Sequence, residues 1–125
     1  MMTKAEGDIM KDVMIDVAKD FSDDPFGRYE DDGKFNAGAF RDNILIPELK
    51  KAIENGNTKI TIDFSGVPVG LGSSFIEEVF GGLIRNGFNP KQISDIIIYK
   101  FPLPFYEIQA KKFMAIEWDK KKREG

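Results

Sequence analysis

The most suggestive spacing in the chain surrounds two serines. Ser73 and Ser74 follow Gly70 and Gly72, at the end of the Gly/Pro-rich stretch SGVPVGLG at 65–72, and precede Glu77 and Glu78. A serine at a helix start can serve the helix itself. Ser74 and Glu77 match an S-x-x-E capping box, in which serine caps the helix and glutamate reaches back. The same place can serve a ligand, because free amides at a helix start favour anions and glycines let a ligand come close. As a nucleotide fingerprint the fragment is incomplete. Phe75 stands where a third glycine belongs, and no Lys-Ser/Thr pair follows. Glu77 and Glu78 suit the positive end of the helix dipole but oppose a bound phosphate.

Arg28 and Arg41 are two of only four arginines. A planar guanidinium suits bidentate pairing. One reading is a structural ion pair with an acid such as Asp31 or Asp63. The other is contact with an anion or a partner near the serine loop. The acids Asp20, Asp23, Asp24, Glu30, Asp31 and Asp32 do not have the spacing of an EF-hand loop and read as a solvated segment. The chain has no histidine and no cysteine. That excludes Ser-His-Asp and Cys-His nucleophile systems, zinc sites of the usual kind and thiolate-bound clusters. No two carboxylates are set against each other for acid–base work. The expectation is a protein that is not an enzyme, with no metal and no cofactor.

Eighteen basic and 21 acidic residues leave a net charge of −3. This gives no electrostatic case for nucleic acid or an anionic membrane as a partner. No apolar run approaches the length of a membrane span. The start, MMTKAEGDIMKDVM, lacks the apolar centre of a signal peptide. Absence of cysteine fits a reducing compartment, so a cytoplasmic location is expected.

Several elements must position these residues. Val13, Ile15 and Val17 alternate as a half-buried strand. Asp31-Asp32-Gly33 between Arg28-Tyr29 and Lys34-Phe35 predicts a β-hairpin or ordered loop over 27–36. Phe40, Ile44, Leu45, Leu49, Ala52 and Ile53 share one helical face over 38–55, within which Pro47 should kink or restart the helix. KITIDF at 59–64 is a strand, and a second helix runs over about 74–86 to Gly87. Within it Gly81-Gly82 disfavour helix and imply a close approach, either packing on the sheet or a flat groove facing a partner. Ile93 to Tyr99 reads as a central strand, with Ile96-Ile97-Ile98 apolar on both faces. Residues 105–118 fit a helix, although FMAIEW could alternate as a strand. Phe101, Phe105 and Phe113 are expected to complete the core. The order points to an α/β fold with crossover connections. The domain is expected over 13–118, between a loose segment at 1–12 and a charged tail at 119–125.

The run Ile62-Asp63-Phe64-Ser65-Gly66-Val67, a short loop, and a serine pair opening an amphipathic helix resemble the STAS domain of sulfate transporters and anti-sigma-factor antagonists. In those antagonists the helix is entered through Asp-Ser-Ser-Gly, and a partner kinase phosphorylates the second serine. Here Gly72-Ser73-Ser74-Phe75 stands in that place, which puts Ser74, with Ser73 beside it, at the regulatory position. The chain is more similar still to the STAS-like domains of unknown function often encoded beside or fused to histidine-kinase-like ATPases. The likeness covers about residues 13–100. Its pieces are Gly27-Arg28-Tyr29, Asp32-Gly33, Phe40-Arg41, Leu45-x-Pro47, the IDFSGV strand and the helix from Gly72 to Leu83. The resemblance implies a STAS-like α/β fold, with a mixed four- to five-stranded sheet and about three to four helices. It also implies a bacterial signalling role as a switch or scaffold. The implied partner is a protein, such as a histidine-kinase-like ATPase or an anti-sigma-type switch kinase. Contact would run through Gly70, Gly72, Ser73, Ser74, Glu77, Glu78, Arg28 and Arg41. A small-anion or nucleotide-binding module using the same loop is the alternative.

Overall fold

The structure is a computed structural model describing residues 12–67 and 70–124. The expected loose segment therefore lies, apart from Asp12, outside the described residues. Three short strands, β1 (Val13–Asp16), β2 (Ile60–Asp63) and β3 (Ile97–Lys100), form one sheet in the order β1-β2-β3. Both pairings are parallel, with Val13, Ile60 and Ile97 in one row and Asp16, Asp63 and Lys100 in another. The fold is α/β as expected. Among the described residues the sheet has three strands rather than four or five, and it is parallel rather than mixed.

The strands alternate. Ile15, Ile60, Ile62 and Ile97 are buried on one face, whereas Met14 and Ile98 stand exposed on the other at 55% and 47%. Helices cover the buried face. The first is α2, residues 37–55, which runs from Ala37–Phe40 through a π turn, Arg41–Leu45, into Ile46–Asn55. The second is α3, residues 73–85, with a second π turn at Glu77–Gly81. A single turn, α1 (Val17–Asp20), follows β1. The chain closes with α4 (Pro90–Ile96) and α5 (Pro104–Glu124). Aromatic rings tie the layers together. Phe40 of α2 lies 6.1 Å from Phe64, Phe80 of α3 lies 5.6 Å from Tyr99, and Phe64 stacks on Phe101 at 4.9 Å.

Pro47 stands in the first turn of the α-helical segment Ile46–Asn55, so the helix restarts at the proline after the π turn, as expected. The Ile46 amide donates to the Arg41 carbonyl, five residues back. The widened turn makes room for the proline ring, and the carbonyls deprived of a donor belong to Asp42 and Asn43, both exposed. The IDFSGV run is a turn as much as a strand. The Asp63 carboxylate accepts from the Ser65 amide at 2.8 Å and the Ser65 hydroxyl at 2.5 Å. Those bonds and the charge of Lys100 hold Asp63 below the usual carboxylate range. A Cβ on Gly66 would stand 2.9 Å from that of Ala18, so only glycine fits there.

Other expectations are corrected. Residues 27–36 are an ordered loop around a 3₁₀ turn, Glu30–Asp32, and not a hairpin. Backbone bonds from Phe26 to Phe35, Ala37 to Gly27 and Gly38 to Arg28 close it, while Asp32 turns back to accept from the amides of Arg28 and Tyr29. Residues 93–96, the first half of the expected strand, are instead the end of a helix that starts at Pro90. Asn89, Pro90 and Gln92 set a capping box there, with reciprocal bonds of 2.9 Å. The strand begins only at Ile97 and lies at the sheet edge, and Ile98 is exposed because it points to the face opposite the helices. Residues 105–118 are helix, and α5 continues through the charged end to Glu124. Phe105, expected in the core, is 57% exposed.

The capping box expected at Ser74 is absent. Gly72 occupies the cap position without a side-chain bond, and helix begins at Ser73. Asn89→Ala is therefore expected to lower the free energy of unfolding by about 1 kcal/mol. Ser74→Ala should stay within about 0.5 kcal/mol. Urea titration of both variants checks this, and equal losses would show that Ser74 caps the helix in solution.

Candidate functional site

Ser73 and Ser74 lie at the amino end of α3, with Gly70 and Gly72 before them, and all four are exposed. Gly70 adopts a positive φ of 114°, a conformation that favours glycine. Its amide donates to the Tyr106 hydroxyl at 3.3 Å, which fastens the loop to α5. Phe75 and Ile76, directly after the serines, are buried in the core. Among the described residues neither serine hydroxyl takes part in a hydrogen bond. The serine turn is thus presented to solvent by a helix anchored underneath it.

One turn further on stands a charge cluster. Glu78 is 4% exposed and Arg41 8%. Arg41 Nη1 donates to Glu78 Oε2 at 2.6 Å and to the Glu78 carbonyl at 2.9 Å, while its Nε reaches Asp42 at 2.8 Å. The other oxygen of Glu78 accepts from the Tyr29 hydroxyl at 2.8 Å and Arg28 Nη1 at 3.2 Å. Arg28 also donates to Glu77 at 2.6 Å, and Arg85 closes on Glu77 from the far side at 2.7 Å. Arg85 further pairs with Glu117 of α5 at 3.4 Å. The cluster therefore joins the 27–36 loop, α2, α3 and α5. Arg28 and Arg41 are ion-paired, as one reading held, but to Glu77, Glu78 and Asp42 rather than to Asp31 or Asp63. Glu77 and Glu78 are not free charges facing the serines, because three guanidinium groups compensate them.

The cluster explains the paired glycines. A Cβ on Gly82 would lie 3.1 Å from Arg41 Cδ and 3.3 Å from Cζ. A Cβ on Gly81 would lie 3.2 Å from Glu77 Cδ and 3.3 Å from Arg85 Nη1. The close approach read in the sequence is made by side chains of the cluster, neither by the sheet nor by an open groove. Tyr29, Arg85 and Glu117 escaped the sequence reading. Arg85 is eight residues from Glu77, which in a regular α-helix leaves the two about 80° apart around the axis. The π turn at 77–81 unwinds the helix enough to bring them together.

The sequence that builds this site matches a known family model. A family model, described as a STAS-like domain of unknown function, matches residues 36–100, just over half of the chain. The chain belongs to this family. The matched segment of the STAS-like domain spans α2, β2, the serine turn, α3, α4 and β3, and so holds Arg41, Glu77, Glu78 and Arg85. It leaves out Arg28 and Tyr29, which precede it, and Glu117, which follows. No curated protein and no solved structure matches the chain. No helix among the described residues is long and apolar enough to cross a membrane.

Burial alone would raise the pKa of both glutamates. For Glu78, bonds from Tyr29 and Arg41 with the charge of Arg85 outweigh it; for Glu77, bonds and charge from Arg85 and Arg28 do. Both stay below their ordinary value. A depressed folded-state pKa contributes stability that is present above the unfolded value of 4.5 and lost as pH falls through the folded one. Glu78→Gln removes one partner of a buried pair and is expected to cost roughly 3 kcal/mol at pH 7. It should also make the loss of stability below pH 4.5 shallower. Urea titrations from neutral to acid pH measure both. Gly82→Ala should destabilise by about 1 kcal/mol or more despite alanine's better helix propensity, because it displaces Arg41. A neutral or stabilising result would show that Arg41 does not lie over Gly82 in solution.

Proposed function

We propose that this STAS-like domain is a non-enzymatic regulatory module that binds a partner protein through the Ser73–Ser74 turn and the helix after it. The observation that carries the reading is the free, exposed serine pair on a helix start whose next residues are buried. A surface fixed in this way loses little conformational freedom on binding. The family resemblance supports a histidine-kinase-like ATPase or an anti-sigma-type switch kinase as the partner, with Ser74 as the modified residue. Compensation of Glu77 and Glu78 by Arg28, Arg41 and Arg85 supports this too, since a phosphate on Ser74 would not meet two unpaired carboxylates. The same pairing counts against the anion-binding alternative, which would need a cation free to hold its ligand.

Ser74→Asp and Ser74→Glu should weaken the complex with a histidine-kinase-like ATPase partner by about tenfold or more. That loss is the size expected for a charge placed in a desolvated contact. An acid near a helix start suits the dipole, so the thermal midpoint should hold. Titration calorimetry against the ATPase, with a melting curve for each variant, tests the reading. Binding equal to wild type in both variants would sink it. Saturable binding of inorganic phosphate or a nucleotide at the serine turn would favour the anion-binding module instead.

A further inference from the structure

The sheet ends at β3, but the helix layer beneath it does not. Lys100 accepts from the Phe64 amide, so residues 98 and 100 direct their backbone groups toward β2 and Tyr99 directs its own away. Among the described residues no strand pairs with that edge. Beside it lies a groove of about 750 Å³. Its near wall is Ile97, Ile98 and Tyr99, and α5 runs beneath with Met114, Ala115 and Trp118. No residue of β2 lines it, which places it on the free side of β3. The groove is thus a position in the sheet, next to β3 and above α5, with a floor that is apolar at Met114, Ala115 and Trp118 and bordered by the charges of Glu107, Lys111 and Asp119.

We propose that the β3 edge is a docking site for an extended segment of a partner protein, which adds as a fourth strand. The in-register rows of the sheet state what that segment should carry. On the open face Met14, Thr61 and Ile98 form one row, and Asp16, Asp63 and Lys100 the next. The next residue in the first row should be apolar, to cover Ile98. The next in the second should be acidic, because Lys100 is 56% exposed and only loosely tied to Asp63 at 3.7 Å. Opposite charges on neighbouring strands attract, whereas a basic residue there would be repelled. Side chains on the inner face should be apolar, to meet Tyr99, Met114 and Trp118. Backbone bonds to Tyr99 supply the pairing and the side chains the selectivity. This site is separate from the serine turn and does not rest on the reading given for it.

The test uses the whole chain, labelled with ¹⁵N, and the peptide acetyl-Ser-Val-Val-Leu-Asp-Ser-amide. Binding at millimolar peptide should shift the Tyr99 amide and the Trp118 indole signals. N-methylation of the peptide amides that face β3 should weaken binding about tenfold or more, because backbone bonds are lost. Replacing its Asp with Lys should weaken it about threefold. Ala115 is exposed, so Ala115→Arg should fill the groove and abolish binding without lowering the melting temperature. Absence of binding would overturn the proposal. So would shifts centred on Ser73 and Ser74, or indifference to N-methylation or to Ala115→Arg. A dimer in sedimentation velocity that Ala115→Arg dissolves would assign the edge to a second copy of the chain and overturn it as well.

Discussion

The buried pair between Arg41 and Glu78 is the constraint around which this domain is arranged. Two charges taken from water are tolerable only when each finds close, well-aligned partners. Here the pair sits where two π turns meet. Arg41 opens one at Arg41–Leu45, and Glu77 with Glu78 opens the other at Glu77–Gly81. The guanidinium crosses α3 over Gly82, so α3 accepts a glycine pair that would otherwise weaken it. The second oxygen of Glu78 recruits Tyr29 and Arg28, and these hold down a loop with little core of its own, since residues 28–35 contain no buried side chain. Through Arg85 and Glu117 the same cluster reaches α5. Four segments far apart in the chain are thus fixed by one group of charges.

That arrangement divides the labour between core and cluster. Among the described residues the sheet is narrow, and its parallel strands have helices on one face, although parallel sheets are ordinarily covered on both. Burial is concentrated between the strands and α2, α3 and α5, where Phe40, Phe64, Phe75 and Phe80 are almost fully enclosed. Apolar packing is non-directional and does not by itself fix the 27–36 loop, which has no buried side chain over 28–35. Hydrogen-bonded charges are directional, and they hold that loop against α3. The serine turn gains its fixed position from Phe75 and Ile76 below it and from the Gly70–Tyr106 bond beside it.

Much of the core was legible in the sequence because it rests on periodicity. The alternation at Ile60, Ile62 and Phe64, and the helical spacing from Phe75 to Ile84, each point to one buried face and are found there. The failures occur where local signals compete with tertiary contacts. Asp31-Asp32-Gly33 has hairpin chemistry, but Arg28 and Tyr29 are drawn to Glu77 and Glu78, and the turn tightens into a 3₁₀ coil. Ile93 to Ile96 is apolar enough for a strand, but the Asn89–Gln92 box starts a helix first. Ser74 and Glu77 have capping-box spacing, but Glu77 has two arginines to bind and does not reach back. The serine turn itself was legible as an exposed helix start. The charge cluster was legible only in part, since Arg28 and Arg41 stood out while Arg85 needed the π turn to join them.

The cluster changes how the serine turn should be understood. In the sequence, Glu77 and Glu78 look like two negative charges facing any phosphate placed on Ser74. In the fold their carboxylates are turned into the loop and α2 and are paired with Arg28, Arg41 and Arg85. The field at the start of α3 is then set by its free amides and by paired charges, not by bare carboxylates. The same pairing leaves none of these three arginines free to clamp an anion. A phosphate at the serine turn would meet neither repulsion nor a ready-made cationic cradle in the domain itself. It would therefore act chiefly on whatever faces the turn from outside, as a charge that a closely packed partner surface would have to desolvate. On the proposed reading the chemistry of the serine switch belongs to the partner, while the domain contributes a hydroxyl at a helix start anchored by Phe75 and Ile76.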